Sequence, residues 1–214
     1  MLEHHLRPQY QRFLVNPLAK ILQNKVSPQQ ITLLSGFLGV LVLPALILHQ
    51  TWVAITLLLL SGFCDTLDGT LARLKQNSSD WGSVLDIMTD RLVEFVVVFA
   101  LFMVSPQQRG IGAILMLGSM LLCITSFLVV GIFTVNNSQK SFHYSDGVME
   151  RAEAFLFFIL MMIWPDAFGF LALLFTFLVT LTAVIRIIQF YALQQFPLVS
   201  DKFQPTKNDN EVSL

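Results

Sequence analysis

Of 214 residues, 55% are hydrophobic and only 13% are charged, about half the roughly 25% of an ordinary soluble domain. With a mean hydropathy of +0.68, the chain reads as an integral membrane protein and not as a soluble globular one. Its formal net charge of −1 excludes an overall electrostatic case for nucleic acid, so any charged partner must be met by local side chains.

Along the chain, Leu6, Tyr10, Phe13, Leu14, Leu18, Ile21 and Leu22 recur at three- and four-residue steps, while Arg7, Gln11, Arg12 and Asn16 fall elsewhere around the helix. This pattern predicts an amphipathic helix lying in the membrane interface over residues 1–26, bent at Pro17. Ser27-Pro28-Gln29-Gln30 then reads as a helix start, with Ser at the N-cap, Pro at the first helical position and Gln at the third reaching back. Apolar runs of the roughly 20 residues needed to cross a bilayer follow at about 30–49, 52–72, 83–104, 111–135, 148–164 and 167–194. Trp164-Pro165-Asp166 divides the last two. The predicted architecture is therefore an all-α integral membrane protein: an interfacial helix, six transmembrane helices within 27–196, and a polar tail over 197–214. Nothing resembles a cleavable signal peptide.

Orientation follows from Lys and Arg. With the N-terminus inside, the inner side receives Arg7, Arg12, Lys20, Lys25, Arg73, Lys75, Lys140, Lys202 and Lys207, and Arg91, Arg151 and Arg186 sit near helix ends there. The outer side receives only Arg109. Both termini are thus expected in the cytoplasm, so the glycosylation patterns at Asn77-Ser78-Ser79 and Asn136-Asn137-Ser138 should stay unmodified. Cys64 and Cys123 lie in apolar surroundings without metal-ligand spacing and read as buried free thiols. His4, His5, His49 and His143 do not cluster.

Against this background, residues 64–90, CDTLDGTLARLKQNSSDWGSVLDIMTD, stand out. Asp65 and Asp68 fall at the cytoplasmic end of the second span, Asp86 and Asp90 at the cytoplasmic start of the third. Spacings of i, i+3 and i, i+4 put each pair on one helical face. Ionised carboxylates next to hydrocarbon cost several kcal/mol unless paired, hydrated or bound to metal. Only Arg73, Lys75 and Arg91 are near in sequence, so a divalent cation is the natural partner, and an all-oxygen ligand set favours Mg2+ or Mn2+ over zinc. Such cations usually meet phosphate oxygens. Gly69 and Ala72 leave room for a ligand at the backbone, and Arg73 can pair with a phosphate.

Asp65-x-x-Asp68-Gly69-x-x-Ala72-Arg73, eight residues, then Gly82-x-x-x-Asp86-x-x-x-Asp90 resembles the signature of the CDP-alcohol phosphotransferases. Pro28-Gln29-Gln30-Ile31-Thr32 is similar to that family's Pro-Asn-x-x-Thr, with Gln29 in place of Asn, and Gly147-Val148-Met149-Glu150-Arg151-Ala152-Glu153 to its Gly-x-x-Glu-Arg-x-Glu. The resemblance implies a six-helix membrane enzyme, usually a homodimer, that moves a phosphatidyl group from CDP-diacylglycerol to an alcohol and releases CMP. By the same resemblance Asp65, Asp68 and Asp86 bind metal. Asp90 either completes a second metal position or acts as general base on the acceptor hydroxyl. Gly69, Ala72 and Arg73, with Asp65 and Gln29, hold the CDP moiety.

Arg151, Arg186 and Lys140 are the candidates for the acceptor's phosphate, and Glu94, one turn past Asp90, for a further acceptor contact. The alternatives are an Arg91 partner for Glu94 and a Glu150 or Glu153 partner for Arg151. Phe133-Thr134-Val135-Asn136-Asn137 lacks the Lys-x-Arg of the inositol-phosphate enzymes, which leaves glycerol 3-phosphate ahead of inositol or inositol phosphate. A carboxylate-lined transporter is the competing class; its charges belong near the membrane midplane. A compact chain of this kind suits the bacterial cytoplasmic membrane.

Overall fold

The computed structural model describes residues 10–75, 79–133 and 148–195. Lys140, the sequence around Asn136, Asn77-Ser78 and the 197–214 tail lie outside the described residues. In hydrocarbon every backbone N–H and C=O must be satisfied internally, which a helix does within one segment. Among the described residues the regular elements are all helical.

A π-helical turn over Gln11–Val15 runs into α1, Asn16–Leu22. Pro17 cannot donate to the carbonyl four residues back, and the wider turn ahead of it absorbs the missing bond. The apolar stripe of this segment serves two faces. Val15 and Ala19 are buried against Ile31, Cys64, Leu67 and Leu71, whereas Phe13, Leu14 and Ile21 are exposed.

The helix start at Ser27 is as expected. Ser27 Oγ accepts from the Gln30 N–H at 3.3 Å, and Gln30 Oε1 accepts from the Ser27 N–H at 3.0 Å. From it run α2, Pro28–Val40, and α3, Val42–Ile47. They break at Leu41 because Pro44 has no N–H for the Val40 carbonyl. α3 closes with Gln50 N–H donating to Ala45 O and His49 N–H to Leu46 O, which leaves His49 at φ 56°, the left-handed position after a helix end. Then come α4, Thr51–Leu74, α5, Asp80–Val104, and α6, Pro106–Phe133. α7, Arg151–Ile163, and α8, Phe168–Gln195, are separated by a short turn at Pro165–Ala167.

Among the described residues four segments are long and apolar enough to cross a membrane: Pro28–Ile47, Thr51–Leu74, Pro106–Phe133 and Pro165–Ala192. The other two expected spans fall short for identifiable reasons. α5 has length but carries Asp80, Asp86, Asp90, Arg91 and Glu94. α7 has 13 residues, about 20 Å of helix at about 1.5 Å per residue, against roughly 30 Å of hydrocarbon.

Large apolar side chains such as Trp52, Ile111, Ile114, Ile132 and Phe170 are exposed, as on a lipid-facing surface. Inside, Leu58, Val97, Leu101, Met116, Phe158, Met161 and Phe175 form one core. Arg109, assigned from sequence to the outer side of the membrane, is buried. It donates to Leu101 O at 3.0 Å and lies 4.8 Å over the Phe168 ring, so it satisfies a carbonyl at the end of α5.

α4 and α5 pack on α2 more than on each other. On the α4 side, Ser35 Oγ donates to Ser61 O at 2.8 Å and Ser61 Oγ to Ser35 O at 2.9 Å, both buried. Toward α5, a Cβ on Gly36 would meet Thr89 and one on Gly39 would meet Val93. Small residues allow this close approach. Gly39→Ala is accordingly expected to lower stability by about 1–3 kcal/mol. Gly118→Ala, where nothing lies within 4 Å, should be neutral or stabilising by up to about 1 kcal/mol. Thermal unfolding in detergent compares the two.

Candidate metal and transfer site

The clasp at Ser61 lies one turn before Asp65 on α4, and the Gly36 contact at Thr89 lies one residue before Asp90 on α5. α2 thus fixes both carboxylate-bearing turns. α5 begins at Ser79, whose Oγ accepts from the Gly82 N–H at 3.0 Å, and this cap sets the register of Asp86 and Asp90. Tyr10 stands 6.2 Å from Phe63, edge to face, beside Thr66. Burial raises its phenol above the ordinary value, so it brings no charge to Asp65.

Ligand oxygens of Asp65, Asp68 and Asp86 lie within 4.8 Å of one another. Asp68 is buried, and its Oδ2 and the Asp86 Oδ1 are buried without a hydrogen-bond partner among the described residues. Carboxylate oxygens so close and so enclosed repel unless a cation joins them. Three hard oxygen donors fit Mg2+ or Mn2+. Asp90 stands outside this group of three. Its Oδ1 lies 2.6 Å from Arg151 Nη1, which also lies 2.5 Å from Asp65 Oδ1.

Arg151 reaches the carboxylates because the start of α7 is fixed. The Glu150 N–H donates to Glu153 Oε2 at 3.2 Å, and the Met149 N–H to Thr182 Oγ1 at 3.0 Å. Its guanidinium lies 5.3 Å over the Phe155 ring. The local Glu150 or Glu153 partner considered from sequence gives way to the distant Asp65 and Asp90. Glu94 does take its local alternative: Arg91 Nη1 is 2.5 Å from Glu94 Oε2. Arg186, isolated in an apolar helix, donates to Cys123 O at 3.0 Å and to Ser126 Oγ at 3.2 Å. It lies 5.2 Å over the Phe127 ring.

These groups share a cavity of about 420 Å³, lined by Asp65, Asp86, Asp90 and Glu94, by Arg91, Arg151 and Arg186, and by apolar side chains including Met120, Phe127 and Phe175. Gln29, Gly69, Ala72 and Arg73 do not line it. They lie toward the polar ends of α2 and α4. Gln29 and Arg73 are exposed, Arg73 Nη2 donates to Thr70 Oγ1 at 3.0 Å, and a Cβ on Gly69 would meet only Arg73 Nη1 at 3.8 Å. Space is therefore open at that backbone. The Cys123, Ser126 and Phe127 cradle of Arg186 had no sequence signal, being about 60 residues away. Cys64 and Cys123 are free thiols, the first buried and the second partly so.

A sequence model of the family described as CDP-alcohol phosphatidyltransferase matches residues 25–189. The chain is 30% identical over 194 residues to the inner membrane protein YnjF of Escherichia coli, covering 87% of this chain and 94% of that protein. It is 30% identical over 145 residues to a phosphatidylinositol phosphate synthase of Corynebacterium glutamicum, covering 65% of this chain and 64% of the relative. The fold resembles the Mycobacterium tuberculosis phosphatidylinositol phosphate synthase with CDP-DAG bound, at a TM-score of 0.70 and 18% identity, over 83% of this chain and 94% of the other. That enzyme in complex with manganese and citrate gives a TM-score of 0.68 at 18% identity, over 83% and 89% of the two chains.

Mn2+ at about 100 times its dissociation constant is expected to stabilise the protein by about 2.7 kcal/mol. Asp68→Asn should remove most of that gain. Asp80→Asn, an exposed residue in the first turn of α5, should keep it. Unfolding midpoints with and without the ion decide this.

Proposed function

The chain belongs to the CDP-alcohol phosphatidyltransferase family, and from that premise we propose that it moves a phosphatidyl group from CDP-diacylglycerol to an alcohol acceptor, releasing CMP. The observation that carries this reading is the convergence of Asp65, Asp68 and Asp86, with Asp65, Asp86 and Asp90 lining a cavity that three arginines also line.

Asp65, Asp68 and Asp86 would hold Mg2+ or Mn2+, which neutralises diphosphate charge and stabilises the departing CMP. Gly69, Ala72 and Arg73, with Asp65 and Gln29, form the CDP side: open backbone for close approach, and a guanidinium for phosphate. Asp90 accepts the proton of the acceptor hydroxyl. The freed oxygen attacks the lipid-side phosphorus, its bond to the CMP oxygen breaks, and CMP leaves with its phosphate. Arg151, 2.6 Å from Asp90 Oδ1, orients that carboxylate for the step. Arg186, with Arg151 and Lys140, receives the acceptor's phosphate.

Glycerol 3-phosphate is the first acceptor, because the sequence lacks Lys-x-Arg after α6. Inositol phosphate is the second reading, favoured by the matched phosphatidylinositol phosphate synthases. The competing transporter class has no support from the family, and the carboxylates cluster at one end of α4 and α5. Residues 27–196 form the catalytic domain, with α5 and α7 completing six membrane helices as a homodimer. The site and both termini face the cytoplasm of a bacterial cell.

Purified protein in detergent with CDP-diacylglycerol and Mg2+ or Mn2+ should release CMP with one of glycerol 3-phosphate, inositol 1-phosphate, inositol, serine or choline. Asp90→Asn should lower turnover by about 10²–10⁴-fold while CDP-diacylglycerol binding persists. Failure to bind any CDP-lipid would overturn the proposal.

A further inference from the structure

The cavity wall beyond Asp90 carries a second charged element that the transfer step does not use. Glu94 is 5% exposed and follows Asp90 at i+4, so the two carboxylates share one helical face about 6 Å apart along the axis. Both line the cavity, as does Arg91. Arg91 Nη1 lies 2.5 Å from Glu94 Oε2, while Arg91 Nε is buried with no hydrogen-bond partner among the described residues. Only Glu94 is buried; Arg91 keeps 37% of its side chain exposed, and an ion pair so placed adds little stability. One left with an unsatisfied donor in a cavity wall is better explained by a ligand that completes it.

A hydroxyl group suits this pair, because it needs one acceptor for its proton and one donor for its oxygen. Glu94 supplies the acceptor and the Arg91 guanidinium, which lines the cavity, the donor. An ammonium group offers protons only and meets the Arg91 charge. Carboxylates one helical turn apart on one face can take the protons of two hydroxyls of a single small acceptor, as hydroxyls on adjacent carbons would offer them. We propose that the Arg91–Glu94 pair is a specificity determinant that reads the hydroxyl next to the attacking one, so that the acceptor is a vicinal diol and not an amino alcohol. This deepens the transfer reading above and rests on it.

The test measures acceptor-dependent CMP release by the full chain with CDP-diacylglycerol and Mn2+. Glycerol 3-phosphate and inositol 1-phosphate are each compared with the analogue lacking the hydroxyl beside the attacking one, and serine and choline complete the panel. The accepted diol should exceed its deoxy analogue by at least about tenfold in kcat/KM, mostly through KM. Glu94→Gln keeps the shape and a contact to Arg91 but removes the charge, and Glu94→Asp withdraws the carboxylate by one methylene. Both should cut that discrimination to within about threefold, leaving the KM for CDP-diacylglycerol and the Mn2+-dependent rise in melting temperature unchanged. Equal use of the deoxy analogue, undiminished discrimination in both variants, or preference for serine or choline overturns the proposal. CDP-diacylglycerol binding without release by any diol also overturns it and leaves phosphatidyl transfer standing. Loss of CDP-diacylglycerol binding strikes at the transfer reading itself.

Discussion

The close approach of α2 to both α4 and α5 is the contact on which the site depends. Ser35 and Ser61 exchange hydrogen bonds to each other's carbonyls, and Gly36 and Gly39 leave no side chain between α2 and the Thr89 and Val93 side chains of α5. Because both helices are held to a third, they need not close on one another. The gap that remains at their polar ends is where Asp65, Asp68 and Asp86 converge. A larger residue at position 39 would shift α5, and with it the turn that carries Asp90.

Charge placed in that gap must be answered by charge. Asp65 and Asp90 are answered by Arg151, Glu94 by Arg91, and the enclosed oxygens of Asp68 and Asp86 by a divalent cation in the proposed reaction. The outcome is a polar chamber in an apolar bundle, with anionic and cationic walls. Such a chamber suits a ligand that brings phosphate on one side and hydroxyls on the other, because each end finds the opposite sign or a matching donor.

Two arginines elsewhere meet the same requirement through backbone carbonyls and aromatic rings. Arg109 satisfies the Leu101 carbonyl and lies over Phe168, which stitches the α5–α6 turn to the start of α8. Arg186 makes comparable bonds to α6 and also lines the cavity. An isolated Arg in an apolar helix therefore signals an interhelical bond or a ligand contact, and its location tells which.

Much was legible in the sequence because it rests on local chemistry. Apolar run lengths gave the helix order, the Ser27 cap follows from hydrogen-bonding groups three residues apart, and the Pro-Asp turn divides α7 from α8. The i, i+3 and i, i+4 spacings placed the carboxylates on common faces, and the motif they form matched the family. Only the tertiary structure decided the rest. It took Arg151 away from Glu150 and Glu153 and gave it to Asp65 and Asp90, set Asp90 apart from the three clustered carboxylates, and split the stripe of α1 between a buried and an exposed face. These outcomes depend on which helices α2 draws together, and side chains 60 to 90 residues apart leave no periodic mark on the sequence that joins them.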